Sequence, residues 1–357
     1  MKFIHCADLH LNSKMDGISS EKAKIRRYET LETFERLCAY AKKNAVKAVI
    51  IAGDMFDMEN VPIKVINHVF FAIKECPETD FIYISGNHDE TVLKEIEYLP
   101  NNFKIISDRW EKFSYGNVDI SGISINKKNS GLFYDSLFLD KDRINIVTMH
   151  GEVAGYNAKE DAEVISIPKL KDKYIDYLAL GHYHTFTEGK IDERGKFAYS
   201  GCLDGRGFDE TGDKGFVLLE TDERHVYSSF IKFASRTLYE YEFSVSEYDN
   251  FAALKKALTT SLENDVEKTS LIKIVLKGER NAYLDIDKQG LELYLNSVYF
   301  FVKVYDKTEI KIDINDFAQD KTLRGEFLRE VLKSDMDNLT KSRVITCGIN
   351  ALKGEDF

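Results

Sequence analysis

Seven side chains of this sequence are of types that hold divalent cations, and each stands at the end of a short apolar run. Asp8 and His10 follow Lys2–Ala7, Asp54 follows Lys47–Ala52, Asn87 follows Asp80–Ser85, His150 follows Ile144–Met149, and His182 and His184 follow Asp176–Leu180. Runs of this length and composition read as buried strands. Ligands in open α/β sheets gather at the carboxyl ends of strands, so residues far apart in sequence converge on one site. A lone histidine in such a place is more often a satisfied structural residue than a ligand. Recurrence at five strand ends with compatible donor types reverses that weighting. His5, His68 and His225 stand outside the pattern, and ordinary structural roles are expected for them.

Asp8-Leu9-His10 and His182-Tyr183-His184 share an i, i+2 spacing. In an extended segment this directs both side chains to one face, with backbone origins ~6.6 Å apart. Such a pair can hold one ion or straddle two. Two-metal phosphoryl-transfer centres keep their ions ~3.5–4 Å apart, and a shared carboxylate offsets the mutual repulsion. Asp54, behind Val49-Ile50-Ile51-Ala52 and the small Gly53, is the candidate for that bridge. Two divalent ions carry four positive charges, against two negative ones from Asp8 and Asp54 among otherwise neutral donors. The surplus suits an anionic phosphodiester together with a metal-bound hydroxide.

The chain has 357 residues, of which 43% are hydrophobic and 31% charged, enough for a large core and a smaller second one. A net charge of -11 argues against indiscriminate polyanion binding, because a duplex is held mainly through phosphate contacts from Lys and Arg. Nucleic acid would therefore be held locally. Basic clusters occur at Lys22, Lys24, Arg26 and Arg27, at Lys127 and Lys128, and at Lys169, Lys171 and Lys173, each also readable as a solvated face. Cys6, Cys38, Cys76, Cys202 and Cys347 are scattered without Cys-x-x-Cys spacing, so reduced, packed thiols are expected. The start enters a strand-like run at once and no apolar segment approaches the ~20 residues that cross a bilayer. A cytoplasmic protein without membrane association is the expectation.

These ligands need an α/β scaffold. A helix is predicted over Glu21–Asn44, with Leu31, Phe34, Leu37 and Ala41 at helical spacing. After Ile191 the texture turns to strands and glycine-rich turns, which reads as a second sheet closing the domain near Phe233. From Ser235 the pattern starts afresh: strands at Leu238–Phe243, Leu271–Leu276, Val298–Tyr305 and Glu309–Ile312, with helices at Tyr248–Leu262, Ile286–Leu295, Lys321–Ser334 and Leu339–Leu352. Two domains follow, 1–234 and 235–357.

In order, Asp8-x-His10, Gly53-Asp54, Gly86-Asn87-His88-Asp89, His150-Gly151 and Gly181-His182-x-His184 resemble the signature of the calcineurin-like metallophosphoesterases. The resemblance implies an α/β (α+β) fold: a two-sheet β-sandwich core flanked by helices, with a smaller C-terminal α/β capping domain. It also implies that Asp8, His10, Asp54 and His184 hold one ion and that Asp54, Asn87, His150 and His182 hold the other. Oxygen and imidazole donors without thiolate suit manganese, the expected metal, and leave iron, zinc or magnesium open. His88 would face the scissile phosphate and assist the leaving oxygen. Asp89 either orients that imidazole or caps a helix beginning near Glu90. The implied mechanism is in-line attack by a two-metal-activated hydroxide, with both ions and His88 stabilising the developing charge.

Within the superfamily, Gly53-Asp54-Met55-Phe56-Asp57, and Asp89 where the protein phosphatases carry Glu, are similar to DNA repair exonucleases of the SbcD/YhaO type. The loop Tyr199–Glu210, followed by Lys214-Gly215-Phe216, looks like that branch's post-motif loop; Ser200 and Cys202 depart from its commoner proline pattern. Arg206 either positions a phosphate or makes a structural salt bridge. Thr322–Arg329 resembles a helix of the branch's capping domain. The resemblance implies a nuclease of double-strand-break repair acting on DNA ends and single-stranded regions, as a homodimer with an SbcC-like coiled-coil ATPase. No P-loop occurs in the chain, so ATP dependence would come from the partner. The alternatives are a small-substrate phosphodiesterase or phosphatase using the same centre, and a catalytically silent DNA-end-binding scaffold.

Overall fold

The computed structural model describes residues 1–15, 17–57, 61–86, 99–154, 164–281, 284–311 and 321–353, apart from the side chains at 338, 339, 342, 346, 350 and 353. The chain divides into two compact units, Met1–Thr237 and Leu238–Phe357.

The first unit is built on two six-stranded sheets among the described residues. One contains β1 (Lys2–Cys6), β2 (Ala48–Ala52), β3 (Asp80–Ile84) and β4 (Phe103–Ile106), extended beyond β1 by β13 (Gly215–Thr221) and β14 (Val226–Lys232) in the order β14-β13-β1-β2-β3-β4. The other contains β5 (Glu111–Tyr115), β6 (Val118–Gly122), β7 (Ile144–His150), β10 (Tyr177–Gly181), β11 (Thr187–Lys190) and β12 (Lys196–Tyr199), in the order β11-β12-β10-β7-β6-β5. Two short strands, β8 (Glu152–Val153) and β9 (Val164–Ile165), pair with each other beside it.

Strand alternation assigns the faces. Phe3, Ala48, Ile50, Ile82 and Ile84 of the first sheet meet Ile144, Ile146, Tyr177 and Ala179 of the second in one buried layer. Their neighbours Ile4, Val49, Ile51, Phe81 and Tyr83 point the other way, into a core with Phe34, Leu37 and Ala41 of α1 (Ser20–Lys43) and Val69, Phe70 and Ile73 of α2 (Ile63–Lys74). Val147, Met149, Leu178 and Leu180 face a third cluster, which includes Leu170 of the short α3 (Ile167–Leu170). Strands apolar on both faces are what a doubly covered sheet requires. The central strands and α1 thus match the sequence reading within a residue or two. The stretch after Ile191 does not: it makes no sheet of its own. β12 joins the second sheet beside β10, whereas β13 and β14 return to the first, β13 pairing antiparallel with β1. Short apolar strands carry no local signal of which sheet receives them.

Four of the five cysteines are buried, Cys347 is exposed, and all are free. His5 crosses between the sheets. Its Nδ1 accepts from the Tyr177 hydroxyl at 2.9 Å, and its Nε2–H donates to the Leu180 carbonyl at 3.1 Å. Burial pushes its pKa down from 6.5 to about 3, against a smaller upward push from the Leu180 carbonyl. Because the folded state refuses a proton that the unfolded chain accepts, stability should be unaffected above pH 6.5 and fall as pH drops from 6.5 towards 3. The slope from this group is up to about 1.4 kcal/mol per pH unit. His5→Gln should flatten that part of the acid limb in urea titrations; identical acid limbs for the two proteins would remove the assignment.

The second unit carries a parallel three-stranded sheet of β15 (Leu238–Ser244), β16 (Leu271–Lys277) and β18 (Phe301–Asp306), in the order β15-β16-β18. The crossovers are α4 (Phe251–Asp265), capped by Asn250, and α5 (Lys288–Val298), capped by Asp287. Leu254, Leu258 and Leu262 of α4 and Leu291 and Leu295 of α5 close its core over Ile272, Ile274 and Val302. A satellite pair of strands, β17 (Glu279–Asn281) and β19 (Glu309–Lys311), is followed by α6 (Leu323–Lys333) and α7 (Asn338–Lys353), whose Leu328, Val331, Ile345 and Ile349 pack on Ile310. Among the described residues no helix is long and apolar enough to cross a membrane.

Candidate metal centre

The carboxyl ends of β1, β2, β7 and β10 lie side by side where the two sheets face each other. From the first sheet come Asp8, His10 and Asp54; from the second come His150, His182 and His184. Asn87, His88 and Asp89 lie outside the described residues. Ligand atoms of Asp8, His10 and His184 all fall within 4.8 Å of one another, and so do those of Asp8, Asp54 and His150. Asp8 thus belongs to both groups. Asp54 also reaches both: its Oδ2 is 3.9 Å from His10 Nε2 and 3.5 Å from His150 Nε2. His182 is in neither group among the described residues. Its backbone N–H donates to both Asp8 carboxylate oxygens at 3.0 Å, and its ring stands edge-on to His150 with centroids 5.5 Å apart.

The local backbone differs from the extended form that the i, i+2 spacing suggests. Asp8, His10 and Asp54 have φ of 50°, 43° and 47°, and His182 has 105°. β1 ends at Cys6, after which Asp8 N–H donates to Gly53 O at 3.1 Å and His10 N–H to Asp54 O at 2.9 Å. The two ligand-bearing turns therefore lace together and aim their side chains inward. Left-handed backbone at a non-glycine residue costs on the order of 1 kcal/mol, and such strain concentrates where function requires it. Asp, Asn and His tolerate this region better than most residues do.

Glycines make room for the donors. A Cβ on Gly53 would lie 1.9 Å from His150 Nδ1, one on Gly86 would lie 2.0 Å from Asp54 Oδ1, and one on Gly181 would lie 1.7 Å from Ala52 O. His150 Nδ1–H donates to that same Ala52 carbonyl at 2.9 Å, which turns Nε2 toward Asp54.

Behind the donors sit groups the sequence reading missed. His10 Nδ1 is 3.0 Å from Asp57 Oδ1, and His184 Nδ1 is 2.7 Å from Glu210 Oε1. Burial would lift the Asp57 carboxyl, but hydrogen bonds from His10 and Ser13 and the charge of Arg206 hold it at about 2. Glu210 is held well below its usual range: burial pushes upward, and bonds from His184 and Arg206 outweigh it. Burial likewise disfavours an imidazolium at His184, yet Glu210 and Asp8 raise its pKa overall, whereas burial and the neighbouring His150 lower that of His182. The sequence signals were slight: an acid three residues after Asp54, and a lone Glu closing a glycine-rich loop.

That loop is anchored. Arg26 is fully buried, pairing with Glu29 at 2.6 Å and with Asp204, and donating to Gly205 O at 2.8 Å. It therefore belongs to no surface basic patch, unlike the cluster reading of Lys22–Arg27. Thr33 Oγ1–H donates to Asp204 at 2.9 Å, and buried Lys214 donates to His184 O at 2.8 Å. Arg206 makes the salt bridges that were one of its two readings, to Glu210 at 2.6 Å and to Asp57 at 3.3 Å. His5, His68 and His225 engage Tyr177, Glu35 and Asp222, away from these donors.

The donor set suits divalent cations of borderline or hard character. Imidazole nitrogens and carboxylate oxygens converge, and the nearby Cys202 is a buried thiol whose pKa burial and Glu210 push well above its usual value; its S–H faces His184 O. His10 Nε2 and His184 Nε2 face each other at 3.2 Å, which two neutral imidazoles tolerate when a cation lies between their lone pairs.

Comparison with known proteins agrees with this chemistry. YhaO of Bacillus subtilis, described as an uncharacterized metallophosphoesterase, is 27% identical over 325 residues, 84% of this chain and 77% of that protein. The DNA double-strand break repair protein Mre11 of Sulfolobus acidocaldarius is 25% identical over 353 residues, 90% of each chain. One subunit of the Bacillus subtilis nuclease SbcCD is 29% identical over 93 residues, 25% of this chain and 22% of that protein. The family model for calcineurin-like phosphoesterases matches residues 1–186, which contain every donor described above, and the chain belongs to that family.

Proposed function

We propose that this protein is a metal-dependent DNA nuclease of double-strand-break repair, cleaving phosphodiester bonds at DNA ends and in single-stranded regions. The reading is carried by the convergence of Asp8, His10, Asp54, His150 and His184 at the seam between the sheets, with Asp54 reaching both ligand groups and His182 tied to Asp8 through its backbone. The match to Mre11 along 90% of the chain favours DNA over a small substrate, because it includes the second unit.

Asp8, His10, Asp54 and His184 would hold one divalent ion, and Asp54, Asn87, His150 and His182 the other, with manganese the expected metal. Such ions supply Lewis acidity to the phosphate and lower the pKa of a bound water. Asp8 also fixes the His182 backbone, and the Ala52 carbonyl sets the His150 ring so that Nε2 faces inward. Four carboxylates (Asp8, Asp54, Asp57 and Glu210) and the single guanidinium of Arg206 leave three negative charges against the four positives of two divalent ions. The centre stays cationic, and an acidic chain can hold an acidic polymer there. His88 would assist the leaving oxygen, and Asp89 would orient that ring or cap the helix expected near Glu90. The second unit serves as a DNA-binding accessory domain of the capping type, an SbcC-like coiled-coil ATPase is the partner, and the working form is a homodimer.

The test is cleavage by the purified full chain with manganese. Linear duplex or single-stranded DNA should be degraded far faster than a cyclic nucleotide or a phosphomonoester; the reverse preference would favour the small-substrate reading. His88→Ala should keep both ions by elemental analysis and lose roughly 10²–10⁴ in rate. Loss of metal in that variant, or an unchanged rate, would remove His88 from the chemistry.

A further inference from the structure

Two histidines of the centre are gripped from behind by one connected set of charged groups. His10 Nδ1 lies 3.0 Å from Asp57 Oδ1, and His184 Nδ1 lies 2.7 Å from Glu210 Oε1. Arg206 spans the two carboxylates. Its Nη1 is 3.3 Å from Asp57 Oδ1, its Nε and Nη2 are 3.0 and 2.6 Å from Glu210 Oε1, and its backbone N–H donates to Glu210 Oε2 at 2.8 Å. We propose that Asp57, Arg206 and Glu210 act as one positioning unit, locking His10 and His184 in the Nδ1–H tautomer so that both Nε2 lone pairs point at a single cation. The proposal rests on the two-cation reading above, and it assigns Arg206 to the carboxylates instead of the phosphate.

For neutral imidazoles the two carboxylates favour one assignment. An ionised carboxylate only accepts, so the His184 Nδ1 bonded to Glu210 carries the proton, and the 3.0 Å approach of His10 Nδ1 to Asp57 favours the same form at His10. A neutral imidazole protonated at Nδ1 has its lone pair at Nε2, and the two Nε2 atoms are 3.2 Å apart. Arg206 Nη2 also lies 3.2 Å from His184 Nδ1, but a guanidinium only donates and that nitrogen is already a donor. Both groups therefore share Glu210 Oε1 as acceptor.

The unit is rigid because it is enclosed. The side chains of Glu210, Arg206 and Asp57 are 3%, 17% and 21% exposed, so screening by solvent is limited. The fork of a guanidinium fixes carboxylate orientation in a way that an ammonium does not. Ser13 Oγ–H adds a bond to Asp57 Oδ2 at 3.0 Å, and the Arg26–Asp204 pairing holds the loop that carries Arg206. Outer partners of metal-bound histidines change metal affinity by about 10–100-fold when removed.

The experiment uses the full chain labelled with ¹⁵N-histidine. In the metal-stripped wild type at alkaline pH, where the imidazoles are neutral, His10 and His184 should both show Nδ1–H and unprotonated Nε2; an Nε2–H form at either overturns the proposal without need of a variant. Manganese titration followed by electron paramagnetic resonance should then give two ions for the wild type. Arg206→Met and Glu210→Leu should weaken one of them about 10–100-fold and leave the other in place, with Glu210→Leu also giving a mixed tautomer at His184. Glu210→Gln, whose amide oxygen still accepts from Nδ1–H, should keep the tautomer and restore most of the affinity. A wild type with two ions, and folded Arg206→Met and Glu210→Leu proteins that bind both as tightly, would overturn the positioning role alone. A folded wild type that binds no divalent ion would overturn the cation reading, and this proposal with it.

Discussion

Asp54→Ala is expected to leave a folded protein that no longer retains two divalent ions and whose hydrolytic rate falls by ~10³-fold or more. The reason is position. Asp54 Oδ2 lies between His10 Nε2 at 3.9 Å and His150 Nε2 at 3.5 Å, so one oxygen faces donors from both sheets. Two divalent ions ~3.5–4 Å apart repel strongly, and the carboxylate between them offsets that repulsion. Alanine removes the charge and also leaves a residue poorly suited to φ 47°. Asp54→Asn separates these effects, since asparagine tolerates left-handed backbone. With metal stripped from both proteins it should unfold at the wild-type temperature, and on adding metal it should still fail to hold two ions and should lose rate. Elemental analysis of the purified variants decides the matter, and an Asp54→Ala protein carrying two ions would end the bridging assignment.

Gly181→Ala is expected to be among the most damaging single-methyl additions in the first unit. Gly181 ends β10 in the second sheet, and an added Cβ would lie 1.7 Å from the carbonyl of Ala52, the last residue of β2 in the first. That oxygen is backbone held in a ladder and cannot rotate aside. It is also the acceptor that orients His150. The sheets must therefore part at the place where their ligands meet. Overpacking of this kind costs about 3 kcal/mol, which for a unit of this size lowers the melting temperature by roughly 6–12 °C. Gly212→Ala is the control: nothing lies within 4 Å of its added methyl, so only the left-handed backbone, at φ 85°, is penalised, by about 1 kcal/mol. Equal melting temperatures for wild type and Gly181→Ala would show that the sheets are not in contact there.

The convergence of Asp8, His10, Asp54, His150, His182 and His184 was legible because each follows an apolar strand, where residue type and register are tied to the fold; Asn87 lies outside the described residues. The faces of β2 were legible too, since Ala48-Val49-Ile50-Ile51-Ala52 is apolar on both sides. Which sheet received each strand was not legible. β12 and β13 have similar texture yet join different sheets, and long-range pairing has no local code. The supporting carboxylates were hidden for another reason. Asp57 and Glu210 are chemically ordinary acids, and only three-dimensional proximity to His10 and His184 distinguishes them from acids on the surface. Arg26 was misread in the opposite sense: its basic neighbours in sequence suggest a surface patch, while its own guanidinium is enclosed against Asp204 and Glu29.

The pairing of β1 with β13 joins Lys2 to Glu220 and His5 to Val217, and the terminal amine of Met1 reaches Thr221 O at 2.7 Å. During synthesis β1 leaves the ribosome long before β13 does, and it must keep one edge unsatisfied in the meantime. Loop-closure entropy makes such a contact slow to form, and an exposed strand edge in the interim invites association with other nascent chains. The Lys2–Glu220 rung therefore closes late in biosynthesis, and a transcript truncated before β13 yields a product prone to aggregation although it encodes all of the clustered histidines and aspartates.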